Sequence, residues 1–423
     1  MASLCFYFQV HQPLRLKHYT VFDSHHHYFD DFKNAQLSRT LAEKCYLPSN
    51  LLFLDLVRKY QGRFKVAYSL TGILLDQLQS CEPEVLKSFQ ELADTGCVEF
   101  LAETCSHSLS HLYSPGEFIR QVQAHTRIIQ KLFGQTPRVF RNTELIYNNN
   151  LAELIERMEC FSGIITEGAA PVLGGRSPNY VYRPVNSRRL KLLLRNHSLS
   201  DDIALRFSNR AWDQWPLTAE KYTGWINALS DCGDVINLFM DYETLSERHG
   251  ESTGIFEFMR QLPEEFLRHP GNQFKTPGEV IRFSEAVDSI DVPSAISWTG
   301  REKNLSAWQS NPMQENALAE LYKLDKKVMQ TRDMTIMDDW RKLQTSDHFY
   351  GMRTELADKD VYKYVTPYDS PYDSYINFMN ILNNLNSRCD ESLLCRREKV
   401  SIRSRKKMPI NQVNKEYPEP LLV

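Results

Sequence analysis

The chain has no disulfide framework and no zinc-knuckle pattern. Its nine cysteines are scattered and odd in number, and no two form a CxxC pair. A reducing, cytoplasmic setting is the expectation. There is no long apolar run of the roughly 20 residues that a transmembrane helix needs. The first residues, MASLCFYFQVHQP, carry no basic n-region, so neither a secretory leader nor a membrane partner is expected. Charge of one sign is not in excess: 50 Lys and Arg stand against 53 Asp and Glu. That balance makes no case for nucleic acid or an acidic partner. Finally, no glycine-rich loop follows the first apolar run, which argues against a dinucleotide site.

What is present is a series of short β-rich runs separated by helical patterns. They lie at Leu4–Val10, Phe64–Thr71, Cys97–Thr104, Arg138–Glu144, Gly163–Thr166, Lys191–Arg195 and Val235–Met240. Seven such runs predict a parallel α/β architecture. Polar residues gather at their C-terminal ends: His11, Glu103 with His107, Glu144, Glu167, Asn196 with His197, and Asp241 with Glu243. In a closed barrel these converge on one mouth; in an open doubly wound sheet they would spread along an edge. The barrel is the favoured arrangement. Beyond about residue 285 the texture turns helical, with apolar residues at helical spacing from Met313 to Met329. The expected division is a barrel over 1–290, a helical region over 291–390 that completes the cleft, and a basic, flexible tail over 391–423.

Glu144 and Asp241 each end a strand with no neighbouring lysine. Glycoside hydrolysis needs such a carboxylate pair, one as nucleophile or base and the other as acid. The bland alternative is that each caps the next helix or pairs with an arginine such as Arg141. Tyr147, Tyr242, Trp298 and Trp308 lie in or beside polar loops, where flat apolar faces suit pyranose rings; packing between barrel and helical region explains either tryptophan equally well. His11, His107, His197 and Asp241 have metal-ligand chemistry, but no HxD pair occurs, and the expectation is no metal. The run His25-His26-His27 reads as a solvated loop.

Five ordered stretches carry a resemblance: HQP (11–13), FLAETCSHSLSHLYSP (100–115), FRNTELIYNNN (140–150), LFMDYETLSERH (238–249) and SAISWTGREKNLSAWQSNPMQ (294–314). TEGAAPVLGGRSPNYVY (166–182) and LQTSDHFYGM (343–352) extend it. Over roughly residues 1–390 the chain resembles glycoside hydrolase family 57, in its α-amylase-like branch. The resemblance implies a (β/α)7 barrel with a C-terminal helical domain. It also implies a retaining mechanism on α-glucans or maltooligosaccharides, with no metal or cofactor in the chemistry. The family's nucleophile falls on Glu144 and its acid/base on Asp241. His11, Glu103, His107 and Arg141 fall on cleft positions, Trp298 and Trp308 on the aromatic fifth region. Cys105-Ser106 stands where aromatics are usual, Gly175 where a tryptophan is usual, and Asn304 where an acid is more typical; these departures bear on subsite affinity and chain-length preference. A 4-α-glucanotransferase or branching enzyme would use the same pair. A metal-dependent deacetylase or α-mannosidase, or a glucan-binding homologue, are the other classes.

Overall fold

The computed structural model describes residues 3–300, 302–355 and 368–406. Ten strands occur among them: β1 (Ser3–Val10), β2 (Val66–Leu70), β3 (Val98–Phe100), β4 (Val139–Arg141), β5 (Gly163–Glu167), β6 (Tyr182–Pro184), β7 (Lys191–Arg195), β8 (Ile236–Asp241), β9 (Gln273–Phe274) and β10 (Asp288–Ile290). One sheet runs β3-β2-β1-β8 with β9 on the lower end of β1; the other runs β10-β6-β7-β5-β4. Two seams close these sheets into a barrel. At β3/β4, Ala102 pairs with Phe140, and the Arg141 amide donates to Ala102 O at 2.8 Å. At β7/β8, the Asn196 amide donates to Asn237 O at 2.9 Å, and Asn237 Nδ2 returns to Leu194 O at 2.9 Å. The closed ring is therefore β1-β2-β3-β4-β5-β7-β8, all parallel: a (β/α)7 barrel. Its seven strands are the seven β-rich runs of the sequence. The short β6 and β10 lie outside the ring.

β1 is buried along its whole length, as parallel strands covered on both faces are. Its side chains alternate with the two-residue period of a strand. Leu4, Phe6, Phe8 and Val10 pack outward beneath the helices, while Cys5 and Tyr7 join Ala67, Leu101, Ile165, Leu193 and Phe239 inside the barrel. The same period turns Gln9 inward, opposite Asp241 in the β1–β8 register. It then carries His11 to the mouth.

The region after the barrel has its own core. Leu318, Leu321, Val328, Ile336, Trp340, Ile381 and Leu385 come from helices Pro312–Lys323, Asp325–Thr331, Met334–Lys342 and Pro371–Lys406. They close over Leu16, Tyr19 and Tyr28 from the loop after β1. A short helix, Ser346–Tyr350, is drawn to the mouth because the Ser346 amide donates to His107 O at 3.0 Å. The last helix runs through residue 391, where a flexible tail is expected, to Lys406; residues 407–423 of that stretch lie outside the described residues. No helix among the described residues is long and apolar enough to cross a membrane. All nine cysteines are free.

Candidate active site

β4 ends at Arg141, and the chain turns through Thr143–Leu145 in a single 3-10 turn. Within it Glu144 has φ 54° and Leu145 φ 50°. Two non-glycine residues in the left-handed region mark a backbone that the surroundings hold against its preference. The result projects the Glu144 carboxylate into the mouth, where three donors meet it. Trp298 Nε1 donates to Oε2 at 2.7 Å, and Thr299 Oγ1 donates to the same oxygen at 2.9 Å. His107 Nε2 lies 3.1 Å from Oε1. The Trp298 amide also donates to Glu144 O, so the 298–299 loop grips both ends of the residue.

A chain of charged groups runs back from Glu144 into the barrel. His107, itself at φ 51°, places Nδ1 3.4 Å from Glu103 Oε2. Glu103 is fully buried and accepts from Gln9 Nε2 at 3.2 Å and from the Ser69 hydroxyl. Arg141 Nη1 stands 3.6 Å from the same carboxylate. A second chain begins at His11. Its Nδ1 meets Thr71 Oγ1 at 2.9 Å, its Nε2 meets Asp347 Oδ2 at 3.0 Å, and its ring stacks on His107 with centroids 4.0 Å apart.

Burial pushes the Glu103 carboxyl up, but His107 and Arg141 outweigh it and hold the group down at about 2. Burial likewise opposes charge on His107, yet hydrogen bonds to Glu103 and Glu144 raise it to about 9. His107 is thus an imidazolium bridging two carboxylates. Glu144 is raised by burial, and lowered by more through His107, Arg141 and Trp298, so it is ionised. Asp241, at the end of β8, goes the other way. Burial pushes it up first, and the nearby Glu144 charge adds to that, while Arg248, 3.6 Å from Oδ2, pulls it down. Its side chain keeps 38% exposure, so solvent moderates the upward push. Two carboxylates whose surroundings drive their proton affinities apart have the signature of an acid and a nucleophile.

Several expected site residues find other places. Trp308 is a correction: it is 1% exposed, inside the core of the helical region, and no sugar face is open. Glu103 and Arg141 are corrections too. Both are fully buried and stand one layer beneath the mouth, so they act on His107 and Trp298 rather than on a hydroxyl. Trp298 itself is covered by guanidinium groups of Arg141 and Arg195, 5.4 and 5.7 Å from its ring. Glu167 is spent on Arg195 at 3.2 Å, and His197 opens a helix. Glu243 is buried against the Tyr46 hydroxyl at 2.7 Å; burial first, then Asp241, raises it to about 8. Cys105 packs its sulfur where a Cβ on Gly72 would stand, at 2.1 Å, so that strand-to-helix turn requires glycine. Gly175 and Asn304 are both exposed. Asp347, Thr71, Arg195, Thr299 and Arg248 are not among the expected site residues, although each lies in a run or stretch that the sequence singles out.

His11, His107 and Asp347 place donor atoms within 4.8 Å of one another, a spacing that would suit a metal ion. Each Nε2 already faces a carboxylate. His107 and His111, four residues apart, diverge: His111 is buried against Asn142 and burial drives it down to about 3.

The family model described as Glycosyl hydrolase family 57 matches residues 5–293. The chain belongs to this family. It is 40% identical over 403 residues to a Methanocaldococcus jannaschii protein named "Putative alpha-amylase", covering 90% of this chain and 83% of that one. Among solved structures, a family 57 branching enzyme from Thermococcus kodakaraensis superposes with a TM-score of 0.64 at 14% identity, covering 92% of this chain and 94% of that one. The α-amylase AmyC of Thermotoga maritima gives 0.57 at 13%, covering 93% and 95%. The 4-α-glucanotransferase of Thermococcus litoralis gives 0.55 at 14%; 86% of this chain is covered, and it spans about half of that protein, 54%. At these identities the three structures share the fold with this chain.

Proposed function

We propose that this family 57 member is a retaining hydrolase of α-1,4-glucans, with Glu144 as nucleophile and Asp241 as acid/base. The observation that carries the reading is the opposed setting of the two carboxylates: Glu144 held ionised by His107, Trp298 and Thr299, Asp241 pushed toward its protonated form. In the first step a Glu144 oxygen bonds to the anomeric carbon. The bond to the leaving oxygen breaks, and the Asp241 proton moves to that oxygen. Esterified Glu144 carries no charge, so Asp241 loses the repulsion that raised it and becomes a base. It then takes a proton from water, the water oxygen bonds to the anomeric carbon, and Glu144 leaves as carboxylate with net retention. The exposed edge of Asp241 leaves room for that water.

The names of the relatives support an α-glucan as substrate. A reducing, cytoplasmic setting belongs to the same reading, supported by nine free cysteines. Maltoheptaose cleavage followed by NMR tests it: α-anomers first are expected from the native enzyme. A β-anomer first, or unchanged turnover in Glu144→Gln, would overturn the assignment. Longer or branched products would transfer the reading to the glucanotransferase or branching class.

A further inference from the structure

Six tryptophans are present, and only Trp215 is exposed, at 42%. It lies in the connection between β7 and β8, outside the site described above. Its turn is pinned: Lys221 Nζ donates to the carbonyls on either side of it, Gln214 O at 2.9 Å and Pro216 O at 3.0 Å. The Trp215 amide donates to Trp212 O at 2.9 Å. Trp212 is in turn wedged against Trp225, with Arg206 over its ring. Arg206 is anchored on Asp202 at 2.7 Å and on Ser198 O at 2.8 Å. An aromatic held out on a rigid base loses little freedom when something stacks on it. The Arg210 guanidinium stands over one face of the ring, 5.7 Å from its centroid, and the flanking Asp213 and Gln214 are exposed. Seven residues before Trp215, Ser208 Oγ meets His249 Nδ1 at 2.9 Å, one residue beyond the Arg248 that pairs with Asp241.

We propose that Trp215 and Arg210 form a surface platform that holds a stretch of α-glucan polymer outside the cleft, on the Asp241 side. This rests on the α-glucan reading given above. The chemistry fits a pyranose chain. The ring face turned away from Arg210 takes the axial C–H face of a glucose unit, and the amide and carboxylate of Gln214 and Asp213 take equatorial hydroxyls. The mixed charges, one arginine and one aspartate, do not suit a polyanion. A single aromatic on a polar turn does not suit a bilayer, which takes a broad apolar face. A polymer long enough to hold the platform and the cleft together gains from both; an oligosaccharide held in the cleft alone gains from one.

Affinity electrophoresis of the full chain through gels containing soluble starch, with kinetics on starch and on maltoheptaose, tests the platform. Trp215→Ala should lose most of its retardation and raise KM on starch about three- to tenfold. Its kcat/KM on maltoheptaose should stay within twofold. Trp215→Phe should recover part of the retardation, and Arg210→Ala, which leaves the ring in place, should show a smaller loss. Unchanged retardation in Trp215→Ala would overturn the proposal, as would equal losses on starch and maltoheptaose. A shift from oligomer to monomer in that variant would overturn it in favour of a second copy of the chain on this face. Retardation that depends on Trp215 in a protein that cleaves no glucan would sink the hydrolase reading and leave the platform standing. Full turnover with retardation independent of Trp215 would do the reverse.

Discussion

Trp298 and Trp308 sit ten residues apart in one stretch after the barrel and meet opposite fates. Trp298 turns toward β4 and donates its indole N–H to Glu144, under the guanidinium groups of Arg141 and Arg195. Trp308 turns away and fills the core of the helical region, together with Leu318, Leu321 and Phe349. The difference is one of partners rather than of residue type. A carboxylate and two cations await the first ring; apolar helix faces await the second. The lesson is that an aromatic beside a proposed glycosidase site can serve the carboxylate instead of the sugar.

Substitutions at and around the two rings separate their roles. Glu144→Gln removes the group that Trp298 serves, and should lower kcat on maltoheptaose by roughly four orders of magnitude or more. An unchanged melting temperature would show that the loss is chemical. Trp308→Ala should cost about 3–5 kcal/mol of stability, read from the urea midpoint, through the cavity it leaves. The fraction that remains folded should keep its KM. Trp298→Phe keeps the ring but removes one donor to an ionised carboxylate, a hydrogen bond worth about 1.5–3 kcal/mol. A loss of roughly 10- to 100-fold in kcat, with little change in KM, is expected. If Trp298→Phe instead raised KM alone, the ring would be a sugar platform after all.

Smaller effects concern pH. The proposed mechanism requires Glu144 ionised and Asp241 protonated, so the kcat/KM profile should be bell-shaped. Arg248 lowers Asp241, so in Arg248→Met the basic limb should move to higher pH while the acidic limb stays. The Glu103–His107 pair should also show in stability. Glu103 falls from 4.5 to about 2 on folding, so its contribution is present above pH 4.5 and is lost as pH falls toward 2. His107 rises from 6.5 to about 9, so its contribution is present below 6.5 and is lost as pH rises through 9. The melting temperature should therefore peak between these limits, and His107→Asn should flatten the curve.

The barrel was legible because each strand is a short, almost wholly apolar run, and because its polar terminus follows at a fixed phase. His11, Glu103, Glu144 and Asp241 all occupy such termini. The layering beneath them was not legible. Whether Glu103 meets a ligand or lies under His107 depends on the positive φ of His107, and nothing in FLAETCSH announces it. Asp347 was beyond reach for another reason: it stands 336 residues from His11, and only the packing of a separate helical core brings them together. Asp241 and Arg248 are close in sequence, yet their pairing depends on the path of the loop after β8.

The two seams of the barrel bear on how that site is tuned. Glu144 follows β4 in one sheet, Asp241 ends β8 in the other, and few backbone bonds cross between the sheets. At the β7/β8 seam the ladder is replaced in part by side chains: Ser200 Oγ accepts from the Phe239 amide, and Arg195 Nε donates to Phe239 O. The proposed pair is therefore mounted like the two jaws of a caliper. The seams that join the jaws run through Ala102, Phe140, Ser200 and Asn237, all four fully buried.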